Sequence, residues 1–401
     1  MKVVFISPWY SEGMGYSENM FPKALARLGI DVHLVTSTAQ IYYYSPDYDK
    51  VYKPYLGPKF VDSGTKKING YTLHRLPYYE PANIYRGPGI KGLYEYLREL
   101  KPDVIQTFEI MLDSTFGAAK YAGDNSCLFF TECHTHASVF RKNNKKTWKE
   151  YLKSSLNTFN RELKFINNMS IRCYPIAEDV AEISISYFKV PKRKIKIQSL
   201  GVDTYTFFPN KTEEQQASRN KIRGNFGFDA NDIVCIYTGR FTKDKNPHCL
   251  AKAIHELNQK GLPFKGLFIG NGTEEDIQFI QSQKGCKIGP FVPAKNLPSF
   301  YWAADIGVWP REESTSQLDA MACGLPLILS DQIKVVERIK GNGFLYQEGD
   351  HLDLASVLQK MIDPDIREQM SLKGIVKINE KFSWEIIAKE RLNDYRSFGK
   401  K

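Results

Sequence analysis

The sequence predicts an α/β fold of two doubly wound, Rossmann-like domains, and three observations carry that expectation. Short β-branched or apolar runs end in Gly/Ser/Pro loops and lead into helical patterns, the layout of a parallel sheet with crossover helices. The layout occurs twice, on either side of a turn-rich stretch near residues 199–208. The 401 residues and 42% hydrophobic content also suffice for two or three domains with sizeable cores, at roughly 100–200 residues each.

In order along the first half, strands are expected over residues 3–7, 31–36, 103–107 and 127–131, with helices over 19–28, 93–100 and 148–165. Gly201-Val202-Asp203 and Pro209-Asn210-Lys211 are turn residues between a strand-like 196–198 and a polar, helix-prone 212–223, so the domain boundary is placed there. In the second half, strands are expected over 233–238, 266–269, 287–289, 306–309 and 327–330. Near the end, Trp384, Ile387, Ala388 and Leu392 recur at helical spacing, which predicts a terminal helix docking one face.

Composition narrows the class. The first eight residues are one lysine and a strand-length apolar run, shorter than the ~7–15-residue apolar region of a secretory signal. No stretch approaches the ~18–20 apolar residues of a membrane helix, so a cytoplasmic location is expected, with peripheral attachment to the inner membrane face kept open. The seven cysteines are scattered and never spaced C-x-x-C, as reduced core thiols would be. The net charge of +10 allows anionic partners; the dispersed cations and the lack of a recognition module argue against nucleic acid.

Ligands of open α/β sheets bind beyond the carboxyl ends of the strands. After 233–238 come Gly239-Arg240 and then Lys245-Asn246-Pro247, where Asn246 can cap a helix and Pro247 suits its first position. Two cations at a helix amino end form an anion site, although an isolated Arg-x4-Lys is more often a solvated loop. After 306–309, Ser314, Thr315 and Ser316 lie at a helix start and could take phosphate. A carboxylate at Asp319 or Glu312 could take sugar or ribose hydroxyls, while Ser316-x-x-Asp319 also has the form of a capping box.

In the first half, Gly13-Met14-Gly15 follows the first strand, but Glu18 stands where a dinucleotide fingerprint needs its third glycine. Glu132-Cys133-His134-Thr135-His136 follows the strand 127–131; no second ligand set has metal spacing, so no metal is expected. Glu109 is a further candidate at a strand end. The cations of Arg141 to Lys149, ahead of Trp148, Tyr151 and Leu152, could rest on an anionic membrane surface. Tyr42, Tyr43, Tyr44, Tyr48, Tyr52 and Tyr55 crowd one long loop and more often pack on their own domain than bind sugar.

One resemblance gathers these segments. Gly239-Arg240-x4-Lys245-Asn246, Phe268-Ile269-Gly270-Asn271-Gly272, Ala303-Ala304-Asp305-Ile306 and Asp319-Ala320-Met321-Ala322-Cys323-Gly324-Leu325-Pro326 occur in an order that resembles the retaining family-4 glycosyltransferases with the GT-B fold. Gly201-Val202-Asp203 and Phe207-x-Pro209 extend the likeness to nearly the whole chain. The resemblance implies an acceptor-binding domain over 1–200, a nucleotide-sugar-binding domain over 201–380 facing it across a cleft, and a helix over 381–401 returning to the first domain.

It further implies Arg240 and Lys245 on the donor diphosphate, close approach at Gly239, Gly270 and Gly272, Phe291 and Val292 near the base, and Asp319 on the ribose. Gly15 would face the donor phosphates and acceptor, and His134 or His136 the donor sugar or acceptor. The family has two Glu separated by seven residues. Here Arg311 holds the first position, with Glu312 and Glu313 displaced from it, and Glu313-Ser314-Thr315-Ser316 replaces a glycine-rich run. The implied substrates are a nucleoside diphosphate sugar, UDP-linked ahead of GDP-linked, and a carbohydrate or lipid-linked sugar acceptor, without a metal. An epimerase of the same fold and a nonenzymatic binding protein are the alternatives.

Overall fold

The first strand of the chain, Lys2–Ile6, is apolar at every position from Val3 to Ile6 because both of its faces are covered. In this computed structural model, which describes residues 1–80, 86–136, 159–311 and 313–399 without the Val51 side chain, the chain divides into two units. One comprises Met1–Leu200 with Ile387–Lys401, the other Gly201–Ile386.

In the first unit, the strands are β1 (Lys2–Ile6), β2 (Asp31–Ser37), β3 (Gly64–Ile68), β4 (Tyr71–Leu76), a short β5 (Tyr78–Tyr79) and β6 (Gly89–Ile90) pair, β7 (Val104–Thr107), β8 (Leu128–Cys133) and β9 (Arg172–Pro175). The main sheet has the order β3-β4-β2-β1-β7-β8-β9. Every neighbour pair is parallel except β3 with β4. Residues 196–198, expected as strand-like, are not a strand, although Lys196 N and Gln198 N still donate to Cys173 O and Pro175 O of β9.

The second unit contains β10 (Ile233–Phe241), β11 (Phe264–Gly272), β12 (Cys286–Gly289), β13 (Ile306–Trp309), β14 (Leu327–Ser330) and β15 (Gly343–Tyr346), all parallel, in the order β12-β11-β10-β13-β14-β15. Counted within the unit, that is the 3-2-1-4-5-6 order of a doubly wound sheet, which reverses direction between β10 and β13. Leaving β3 aside, the first sheet reverses in the same way between β1 and β7. Each reversal opens a crevice above the strand ends, so the loops after β1, β7, β10 and β13 are where a ligand belongs.

The C-terminal helix Trp384–Phe398 buries Trp384, Ile387, Ala388 and Leu392, the residues that the spacing marked out, and Tyr395 besides. Within the first unit, its Asp394 accepts from Arg172 (3.1 Å), Tyr174 Oη (2.8 Å) and Lys196 (2.8 Å). The tyrosine loop packs on itself: Tyr48 is fully buried and Tyr42 stacks on Tyr52 at 4.6 Å, while Tyr44 stays 69% exposed.

Candidate functional site

The second unit's crevice begins where β10 runs three residues past the expected end at Thr238, to Phe241, because its backbone keeps pairing with β11 through Gly239↔Gly270 and Phe241↔Gly272. The pairing needs these glycines. A Cβ on Gly270 would lie 1.9 Å from Gly239 O, and one on Gly272 2.6 Å from Phe241 Cβ. Both glycines therefore have a reason inside the sheet as well as any toward a ligand.

Arg240, next to last in β10, is exposed, and Lys245, in the loop beyond, is half-buried. Lys245 Nζ donates to Glu313 O at 3.3 Å, which brings the loop after β10 against the loop after β13. The helix Pro247–Gln259 starts directly after this turn, with proline at its first position as expected. Asn246, however, adopts φ 50° and makes no side-chain cap bond. First-turn N–H groups and Lys245 lie at this turn, one short loop after Arg240, and an anion site is built from such groups.

The loop after β13 departs from expectation in two ways. The capping box expected of Ser316 and Asp319 does not form: the helix Ser316–Ala322 is capped in position by Thr315, without a side-chain bond. Capping boxes occur instead at Thr212 with Gln215 and at Thr273 with Asp276. The Ser316 hydroxyl, expected to be offered to phosphate, is engaged. It lies 2.7 Å from Ser314 Oγ, accepts from Trp309 Nε1 at 3.0 Å and reaches Thr238 O at 3.4 Å. Trp309 Nε1 also donates to Thr238 O at 3.2 Å, so this indole staples the ends of β10 and β13 together. Thr315 Oγ1 has no hydrogen bond among the described residues.

Arg338, which the sequence reading passed over, is buried beneath this loop and donates to Ser314 O (3.2 Å) and Gln317 Oε1 (3.3 Å). Glu313 accepts from Lys334 N at 2.7 Å and so steadies the loop from outside. Glu312 lies outside the described residues, as do Arg141 to Lys149 and Trp148, Tyr151 and Leu152.

Asp319, half-buried, has no hydrogen bond or ion pair from its carboxylate among the described residues. Burial and the nearby charge of Asp203 push its carboxyl up to about 8. Asp203 is itself buried, accepting from Thr206 Oγ1 (2.9 Å) and Tyr205 N (3.3 Å). An acid so placed lacks the partner that would favour its charged form, and hydroxyl donors from a ligand could supply one. Phe291 is 42% exposed, and Val292 half-buried, on the loop after β12.

In the first unit, the loop after β1 takes positive φ at Gly13 (81°) and not at Gly15, which is exposed. The loop after β8 holds both candidate histidines in different settings. His136 Nδ1 pairs with Asp179 at 3.0 Å. His134 Nε2 pairs with Glu132 at 2.8 Å, and its backbone N donates to Glu109 Oε2 at 3.0 Å. Thr135 Oγ1 also donates to Glu109, at 3.1 Å.

Burial alone would hold the His134 imidazole low. The hydrogen bond to Glu132 and the charges of Glu132, Glu109 and Glu18 outweigh it and raise its pKa. Burial raises Glu109 and Glu18. It would also raise Glu132, but Arg391 and His134 pull that carboxyl below its ordinary range. The sequence flagged His134 and Glu109, yet missed Glu132, Glu18 and Arg391 as their partners. No local signal could pair Glu132 with a residue 259 positions away.

Two α/β units, each with its polar groups gathered where the strand order reverses, define a GT-B architecture. The chain belongs to the family-4 glycosyltransferases of that fold: residues 21–205 match Glycosyltransferase Family 4, and residues 232–363 match Glycosyl transferases group 1. Spore coat protein SA of Bacillus subtilis is 24% identical over 239 residues, covering 55% of this chain and 63% of that protein. The capsular polysaccharide biosynthesis glycosyltransferase CapM of Staphylococcus aureus is 27% identical, covering 46% of this chain and 52% of that protein. These matches thus span about half to two-thirds of the relatives' lengths. The Anabaena Alr3699/HepE structure, in complex with UDP, superposes with a TM-score of 0.70 at 13% identity, covering 99% of this chain and 100% of that one.

Proposed function

We propose that the chain is a glycosyltransferase that moves a hexosyl group from a nucleoside diphosphate sugar, UDP-linked ahead of GDP-linked, to an acceptor hydroxyl with retention at the anomeric carbon. The observation that carries this reading is the reversal point of the second sheet. There Arg240, Lys245 and the amino end of Pro247–Gln259 gather positive charge beside a loop that presents the unpaired acid Asp319. The two cations match a diphosphate, and the carboxyl matches a pair of ribose hydroxyls. The fold shared with a UDP complex is consistent with a uridine donor.

The chemistry needs no dedicated nucleophile. Negative charge grows on the departing diphosphate while the sugar becomes oxocarbenium-like, so the largest contribution comes from cations already in place, and a metal is not required. The leaving phosphate oxygen then accepts the acceptor's proton on the face from which it departs, which yields retention. In the first unit, His134 has Nε2 committed to Glu132, which leaves Nδ1 as the nitrogen open to a ligand. A carbohydrate or lipid-linked acceptor at the inner membrane surface, in surface polysaccharide or glycolipid synthesis, agrees with the capsular relative and with the net charge of +10.

The test is to incubate the chain with a panel of nucleotide sugars, with and without lipid extract, and to follow nucleoside diphosphate release and the anomeric form of the product. Release that needs the extract, with the donor's anomeric form kept, supports the proposal. Isomerisation or hydrolysis of the donor without acceptor identifies an epimerase. Nucleotide binding with no turnover identifies a binding protein.

A further inference from the structure

The strongest electrostatic assembly in the first unit is built around the C-terminal helix. Arg391 is 2% exposed. Its guanidinium lies 3.4 Å from the centroid of the Tyr174 ring and 4.9 Å from that of Phe21, both buried. Its Nε donates to Gln198 Oε1 (2.8 Å) and its Nη1 to Glu132 Oε1 (2.9 Å). Gln106 Nε2 donates to the same Glu132 oxygen, and Tyr395 Oη, from the same helix, donates to Gln106 Oε1. The other oxygen of Glu132 pairs with His134 Nε2 at 2.8 Å.

We infer that Arg391 is a positioning residue for His134: by fixing the Glu132 carboxylate, it commits Nε2 of the imidazole and leaves Nδ1 as the nitrogen presented to the ligand. This rests on the reading that His134 faces the donor sugar or acceptor. A buried carboxylate held by one arginine keeps its charge only while the arginine is present. Glu132 faces His134 from β8, Glu109 from the loop after β7, and Glu18 from the helix Ser17–Arg27. Of the three, among the described residues, only Glu132 bonds the ring and only Glu132 is paired with an arginine or lysine. Without Arg391, Glu132 takes up a proton, the ring loses its fixed anion, and the choice of nitrogen is released. The C-terminal helix thus serves the first unit's site through an ion pair as well as through packing.

The test is a pH titration of the His134 ring by nitrogen-15 NMR on the full chain, comparing wild type with R391M, R391K and E132Q, alongside the pH dependence of kcat. In R391M the imidazole should titrate about one pH unit lower, a roughly tenfold weaker proton affinity, and the proton should no longer be confined to Nε2 in the neutral ring. R391K, which keeps the charge and loses the planar fork, should fall between. Should R391M fail to fold, E132Q preserves the shape of the carboxylate, removes its charge and should lower the titration likewise. Unchanged titration and tautomer in a folded R391M or E132Q overturn the inference. A lowered titration with an unaltered kcat profile upholds Arg391 as the positioning residue and rejects the reading of His134 as a group in the reaction.

Discussion

The two units place charge at their strand ends in opposite ways. In the second, Arg240 is exposed with no ion pair among the described residues, half-buried Lys245 reaches the Glu313 carbonyl at 3.3 Å, and the Asp319 carboxyl has no partner among the described residues. In the first, His134 is tied to Glu132, Glu132 to Arg391, and Arg391 to two aromatic rings. Groups that must change partners when a ligand arrives are held loosely, because their interaction energy has to go to the ligand. Groups whose ionisation must stay fixed are locked into the core, where a broken pair costs about 3–5 kcal/mol. The contrast separates residues that grip from residues that tune.

The largest expected effect is on the gripping side. K245A should lower kcat about 10²–10³-fold, with stability nearly unchanged, if the ammonium stabilises the leaving diphosphate. Steady-state kinetics with the donor found by the panel, together with a urea unfolding curve, decides it. Near-normal turnover removes Lys245 from the diphosphate site and leaves the contrast without its first half.

Asp319 yields the second effect, one that depends on pH. A carboxyl near 8 in the folded chain and about 3.9 unfolded binds its proton more tightly when folded. The stability it contributes is complete below about pH 4 and disappears as pH rises through 8. D319N, which resembles the protonated acid, should match wild type at about pH 3.5 and exceed it by a growing margin up to about pH 9, where the difference is on the order of a few kcal/mol. Equal unfolding midpoints for the two proteins across that range would mean that Asp319 is solvated or paired.

Gly270 gives the third, since it separates two explanations of a glycine beside a ligand loop. A Cβ 1.9 Å from Gly239 O should cost about 1–3 kcal/mol of stability, read as a lower urea midpoint for G270A without nucleotide. A variant that is stable yet binds UDP poorly would shift the reason for the glycine from the sheet to the ligand.

What could be read from the sequence followed the same division between local and distant causes. Residues 306–309 and 327–330 were legible as β13 and β14 because each is a continuous apolar run covered on both faces. Strand β3 was not: Thr65-Lys66-Lys67 is an exposed edge, held by antiparallel pairing to β4 and not by an apolar pattern. Strand β9 opens on an arginine and closes on a proline, which leaves only Cys173 and Tyr174 as an apolar signal. Arg240, Lys245 and Asp319 stood out because loops beyond strand ends carry polar residues for a reason. Glu132 and Arg391 sit in a strand and a helix, where a charge reads as a solvated face until the fold brings the pair together. The capping box at Ser316 misled because Trp309 and Ser314 take that hydroxyl first.

The smallest effect distinguishes the two histidines, which the sequence left equivalent. His136 pairs with Asp179 at 3.0 Å, with the imidazole 31% and the carboxylate 18% exposed. A partly exposed surface contact of this kind contributes roughly 0–1 kcal/mol. H136A should therefore shift the urea midpoint only slightly and leave the pH dependence of kcat in place. H134A removes the ring that bonds Glu132 and whose charge acts on buried Glu109, and should cost more in both measurements. A larger loss of turnover in H136A than in H134A would reverse the assignment and make His136 the one that meets the ligand. The first unit would then grip by the same loosely held device as the second, and the Arg391 assembly would be scaffolding alone.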